Sequence, residues 1–239
     1  MKTVLASTAV AAVLAGFIGV ASVTAAPTTS SVPETASNFR LTDTARMAHE
    51  LYYFKYAPAI VLMSQTNGSK LSRDGAAELA KLQAAYKARG VLFYMINSNL
   101  SDTRDAAAVE AARNKFAVPV LKDDLQLVGE QLGVKREGEI FVLDPKNNFK
   151  VAYHGPLDDR FAKGSPNLKA AAKDAYAAKA IDAVLAGKAV ANPRVEVKIP
   201  FIYKMVQNKM VVPERHSGSI LDIGYYGVLA EIAGPIPAL

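Results

Sequence analysis

Two uninterrupted apolar runs constrain this chain more than anything else in it. Residues 59–63 (AIVLM) and 91–96 (VLFYMI) carry no alternation of polar and apolar positions, so as strands they need cover on both faces. Between them Ser72 can cap a helix running to Arg89, with Leu79, Leu82 and Tyr86 on one face and Gly90 as its stop. The same switching between strand and helix periods continues from Asn38 to Gly187, which marks an α/β domain. Phe39 to Leu41 and Leu51 to Phe54 read as a short leading hairpin. A helix over 103–116 puts Val109, Ala112 and Phe116 on one side, followed by a short strand at 118–121 and a two-turn helix over 124–132 ended by Gly133. Residues 139–144 and 149–153 read as a hairpin across a turn in which Asn148 tolerates the left-handed conformation. A last helix over 168–186 turns Ala177, Ile181, Val184 and Leu185 inward and is closed by Gly187.

Both flanks of that domain differ from it in composition. Lys2 precedes an apolar run from Val4 to Val20, and Val23-Thr24-Ala25 offers small residues before a cut, so residues 1–25 read as a secretory signal peptide. Residues 4–26 also just reach the length of a membrane helix, so an uncleaved anchor is the alternative. Residues 26–37 form a Pro/Ser/Thr linker, and residues 188–239 extend beyond the domain. The expected location is therefore periplasmic or secreted. Across all 239 residues there is no cysteine, which excludes disulfides, thiolate metal sites and any cysteine nucleophile. A formal charge of +6 suits acidic partners without calling for nucleic acid.

Several strings in order resemble the redoxin group of the thioredoxin-like superfamily, the peroxiredoxin and thiol-disulfide oxidoreductase relatives. They are Asn38-Phe-Arg-Leu-Thr-Asp43, Ile60-Val-Leu-Met-Ser64, Gly90-Val-Leu-Phe-Tyr-Met-Ile-Asn97, Pro119-Val-Leu-Lys-Asp-Asp124, Glu139-Ile-Phe-Val-Leu-Asp-Pro145 and Tyr153-His-Gly-Pro-Leu-Asp-Asp159. The resemblance spans about residues 38–187 and implies a thioredoxin-like α/β fold, a central mixed sheet flanked by helices. It also implies an active-site turn at Thr66-Asn67-Gly68-Ser69-Lys70, with Ser69 where relatives carry cysteine and Lys70 where many carry proline. A serine hydroxyl cannot climb the sulfenic and disulfide ladder, so thiol redox chemistry is excluded for this chain. Cysteine restored at position 69 should be reactive, since a helix N-terminus stabilises a thiolate. The family's substrate loop usually carries a proline; here Gly138 follows Glu137 at that place. A cleft bounded by Asn67, Ser69, Lys70, Arg73, Glu137 and Gly138 should persist for binding.

Other candidates carry weaker patterns. Ser69 beside Lys70, with His49, His154 and His216 as bases, lacks the G-x-S-x-G elbow of a serine nucleophile and reads as a polar turn. The pairs Asp123-Asp124 and Asp158-Asp159 lack the spacing of a calcium loop. Met205, Met210 and His216 form a loose copper-type set that also serves as apolar packing, and no metal or other cofactor is called for. Residues 206–214 resemble a degenerate trace of the C-x-x-C-H haem segment found in some relatives.

Residues 188–215 hold six cations against Glu196 and Glu214, a net +4 of the chain's +6, interleaved with Ile199, Phe201, Ile202, Tyr203, Met205 and Val206. Such an arm, with Lys198, Phe201, Tyr203 and Lys204 at its centre, suits docking on a protein or an anionic membrane; packing back on the domain is the alternative. Removing residues 188–239 should then leave a folded domain. Two functions follow. One is an exported, non-catalytic binding or accessory subunit with a protein partner in the envelope, and the other is a redoxin-like antioxidant oxidoreductase acting through a non-cysteine or metal-assisted site.

Overall fold

The two apolar runs lie side by side at the centre of a seven-stranded sheet in a computed structural model. It describes residues 32–163 and 166–196, and the backbone of three strands at 200–207, 210–224 and 227–232. Strands β1 (Arg40–Asp43), β2 (Ala48–Glu50), β3 (Ile60–Ser64), β4 (Leu92–Asn97), β5 (Val120–Lys122), β6 (Ile140–Asp144) and β7 (Lys150–Gly155) are ordered β2-β1-β5-β4-β3-β6-β7. β3 runs parallel to β4 and antiparallel to β6, and β6 pairs antiparallel with β7. Helices α1 (Lys70–Tyr86), α2 (Arg104–Asn114), α3 (Leu127–Leu132) and α4 (Tyr176–Leu185) complete the domain. A parallel βαβ unit joined to a β-hairpin and a closing helix, in the order β4-β3-β6-β7, is the thioredoxin-like arrangement.

Period-two geometry explains why the runs have no polar positions. Val61, Met63, Phe93, Met95 and Val142 point to one face, where they pack with Leu79 of α1 and Ile181 of α4. Ile60, Leu62, Tyr94, Ile96, Phe141 and Leu143 point to the other, where Leu132 of α3 and Leu51 cover them. All five residues of β3 are buried.

Local hydrogen bonding moves several element ends away from the sequence pattern. Ser69, not Ser72, caps α1, and Ser72 turns inward so that its Oγ accepts from the Thr66 amide. Thr103 caps α2 and sets its register, so that Ala107 and Glu110 face inward while Val109 is 60% exposed. The expected inner position of Val109 is thereby corrected. Asp123 Oδ2 accepts from the amides of Val128 and Gly129, which delays α3 to Leu127. Asp159 Oδ1 accepts from the amides of Lys173 and Asp174, and this tie holds the chain in turns until α4 begins at Tyr176, eight residues after the expected start. The second arm of the leading hairpin ends at Glu50, and Leu51–Phe54 is a 3-10 turn. Asp43 organises that hairpin by accepting from Ala45 N and Met47 N and contacting His49 Nε2 at 2.8 Å.

Both flanking segments touch the outer edge of β7. Thr35 bridges Lys150, and the amide of Val151 donates to Glu34 O. Arg194 bridges His154, whose amide donates to Pro193 O and whose carbonyl accepts from Val195 N. The start of the C-terminal extension therefore lies on the domain's own sheet. Beyond it, β8 (Pro200–Gln207), β9 (Met210–Gly224) and β10 (Gly227–Ile232) form an antiparallel meander in the order β10-β9-β8. Phe201 pairs with Gly218, Tyr203 with His216 and Lys204 with Arg215. Lys198 and residues 1–25, for which the sequence pattern leads one to expect a signal peptide, lie outside the described residues. No helix among the described residues is long and apolar enough to cross a membrane.

Candidate functional site

The site implied by the sequence is the turn between β3 and α1. Gly68 makes that turn with φ of +75° in open space, and Ser69 follows as the helix cap. Ser69 Oγ accepts from the Ser72 amide at 3.2 Å and donates to Glu137 Oε1 at 2.6 Å. The position that would carry a thiolate thus faces a carboxylate.

Two more carboxylates take the free amides of the turn. The Asn67 amide donates to Asp102 Oδ2 at 2.9 Å, and the Gly68 amide donates to Glu110 Oε1 at 3.2 Å. Arg73 donates to Gly68 O at 2.8 Å and stands 3.9 Å from Glu110. Lys70 pairs with Asp74 one turn along the helix, away from Ser69. Behind the turn, Asn97 Nδ2 donates to Gln65 Oε1 and to Asp102 Oδ2, both at 2.9 Å, so a buried polar network fixes the loop from below. Backbone amides at a helix start favour an anion. The protein's own acids stand beside that start, on the amides of Asn67 and Gly68 just before the cap and on the Ser69 hydroxyl, which opposes the lowered thiol pKa that the resemblance implies for cysteine at 69.

The facing loop is stitched to the end of β3. Ser64 Oγ donates to Arg136 O at 2.6 Å and accepts from the Glu139 amide at 2.9 Å, while the Gly138 amide donates to Ser64 O at 2.8 Å. Gly138 has φ of +77°, and a Cβ there would meet only Leu71 at 3.5 Å. Backbone conformation rather than space therefore requires glycine, and with a left-handed residue in place of the family's proline the loop presents a different backbone. Glu139 is 1% exposed, and its Oε1 lies 3.5 Å from both Arg136 Nε and His154 Nε2.

Asn67, Ser69, Arg73, Glu137 and Gly138 therefore converge, and Lys70 stands at their rim. The sequence reading missed Asp102, Glu110 and the Gln65–Asn97 network. No spacing rule connects residues 67 and 102, and only the polar Asn97 at the end of an apolar strand hints at a buried polar partner. The other candidates disperse. His49 and His154 lie on different strands, Asp123 caps α3, and Asp158 binds Arg160. Among the described residues no three His, Asp or Glu side chains are grouped to hold a metal ion. For Met205, Met210 and His216 only the strand register is described, with Tyr203 opposite His216 and Gln207 opposite Met210.

No protein-family model and no curated protein matches the chain. Solved structures do. A hypothetical protein from Sinorhizobium meliloti 1021 is 26% identical over 69% of this chain and 91% of that one, with a TM-score of 0.59. An uncharacterized conserved protein from Geobacillus kaustophilus is 26% identical over 69% and 88%, also at 0.59. Peroxidoxin BcpB from Mycobacterium tuberculosis is 22% identical over 65% and 96%, at 0.48. By its own strand order the chain has a thioredoxin-like fold, and Ser69, hydrogen-bonded to Glu137, caps the helix that follows β3.

Proposed function

We propose that this chain is an exported thioredoxin-like protein without thiol chemistry, acting as a binding or accessory subunit for a protein partner in the cell envelope. The observation that carries this reading is the hydrogen bond from Ser69 Oγ to Glu137 at the head of α1 in a chain with no cysteine. A family fold has kept its turn and its facing loop, and both are tied up by internal hydrogen bonds. The apolar run of residues 4–20 and the small residues before Ala26 support export. The basic and apolar composition of residues 188–215 supports docking on an acidic protein surface, with an anionic membrane as the competing target.

Fractionation of the producing cell, N-terminal sequencing of the purified protein and cross-linking in isolated envelopes test the reading together. The expected result is a chain beginning near residue 26 in the periplasmic fraction, with one defined cross-linked protein that is lost when the strands 200–232 are deleted. A cytoplasmic chain that retains Met1, or cross-linking to lipid alone, would overturn it.

A further inference from the structure

A cleft of about 640 Å³ opens beside β7 on the side away from Ser69, within the size range of small-ligand sites. Its apolar floor is Ala152, Val184 and Val190, and its basic wall is Lys150, Lys188 and Arg194. Gly187, at φ of +64°, ends α4 and turns the chain back so that residues 188–194 form that wall. Arg194 is held in place by main chain alone: NH1 donates to Val151 O at 3.1 Å and to Pro193 O at 2.9 Å.

None of these three cations has a carboxylate within ion-pair distance among the described residues, as is also true of Lys55, Lys87, Arg113 and Lys115, whereas several basic residues elsewhere are paired. Lys70 pairs with Asp74, Lys81 with Glu78, Arg89 with Asp182, Arg104 with Asp124 and Lys179 with Asp174. Neighbouring atoms draw the Arg194 guanidinium below its ordinary pKa by desolvation with no nearby acid to offset it, while the residue stays exposed at the cleft wall. Two acids also line the cleft. Asp144 is turned onto the Lys146 amide at 3.1 Å, and Glu34 is fixed through its backbone to Val151. Three cations against two carboxylates leave a surplus of one positive charge, which admits one negative charge and disfavours two.

We infer that this cleft binds a small organic monocarboxylate, its carboxylate on Arg194 between Lys150 and Lys188 and its apolar body against Ala152, Val184 and Val190. A guanidinium binds such a group through paired, charge-assisted hydrogen bonds. The fatty-acid head and the peptide C-terminus share this chemistry.

Calorimetric titration of the purified full-length protein separates them. The probes are octanoate and acetyl-Ala-Val with a free carboxylate, against octanamide, the amidated dipeptide and inorganic phosphate. We expect at least one carboxylate to saturate, about tenfold tighter than its amide and tighter than phosphate, since the uncharged amide forms no charge-assisted pair with Arg194. Arg194→Met should weaken it about tenfold. Lys150 and Lys188 donate no side-chain hydrogen bond to the described protein, so the double variant Lys150→Gln, Lys188→Gln should keep its melting temperature and lose about threefold in affinity. That variant decides the matter if Arg194→Met fails to fold. Absence of saturable binding by both carboxylates, equal binding of the amides, or unchanged affinity in the folded variants would overturn the inference.

Discussion

Cysteine placed at position 69 becomes a probe of the electrostatics at the head of α1. In the wild-type protein the hydroxyl of Ser69 lies 2.6 Å from Glu137 Oε1, and both residues are half-buried. A thiolate there would stand about 4 Å from a negative charge, which costs about 4 kcal/mol at an effective dielectric near 20. That equals about 3 pKa units, and partial exposure reduces it to about 1 to 1.5. The helix N-terminus works the other way but contributes only about 0.3 to 1 kcal/mol, less than one unit. The balance places the thiol of Ser69→Cys above the free value of about 8.5. Adding Glu137→Gln removes the repulsion and should bring the pKa down by at least about one unit. The assay is the rate of iodoacetamide alkylation against pH for the single and double variants. A single-variant pKa below about 7.5, or no difference between the two, would refute the reasoning.

Further outcomes follow from the same structure. Arg160→Met leaves Asp158 and Glu78 without the guanidinium that both contact at 2.6 Å, and should lower stability to urea by about 3 to 5 kcal/mol at neutral pH. Burial opposes the charged form of Glu78, but hydrogen bonds from Lys81 and Arg160 outweigh it and hold its carboxyl below the usual range. Its contribution is thus complete above the unfolded value of about 4.3 and is lost as pH falls through the lower folded value, so the gap between wild type and variant should narrow there. A gap independent of pH from 7 to 3 would contradict this. Gly138→Ala should cost about 1 to 2 kcal/mol in thermal or urea unfolding through its left-handed backbone alone, and a neutral variant would show that the loop conformation is wrong. Truncation after Glu196 should preserve a cooperative melt, whereas truncation after Gly187 strips the cover from β7 together with Val190 and Val195, which pack on the core, and should lower it measurably. Equal melts would place the domain's end at Gly187.

The sheet was legible because burial on two faces leaves so clear a mark: residues 59–63 and 91–96 have no polar position, and they form β3 and β4 within one residue of the pattern. Helix ends were less legible, since they are set by single side chains acting across the chain. Asp159 stops the Ala-rich segment 168–175 from joining α4, and nothing in its local propensity reveals that tie. At the site, the turn and Ser69 could be placed from the order of strings around them, and Glu137 was named as part of the cleft. Its role as the acceptor for Ser69 could not be read, because residues 69 and 137 meet only through the pairing of β3 with β6. Asp102 and Glu110 reach the turn from the loop and helix after β4, a contact with no sequence period at all.

Peroxide consumption and insulin reduction by the purified protein, with dithiothreitol or a thioredoxin system as electron donor and with metals chelated, test the central claim most directly. With serine at position 69, hydrogen-bonded to Glu137, and no thiol elsewhere, the account predicts rates equal to a boiled-protein blank in both assays. Heat-sensitive turnover in either assay, proportional to protein and unchanged by chelator, would contradict it.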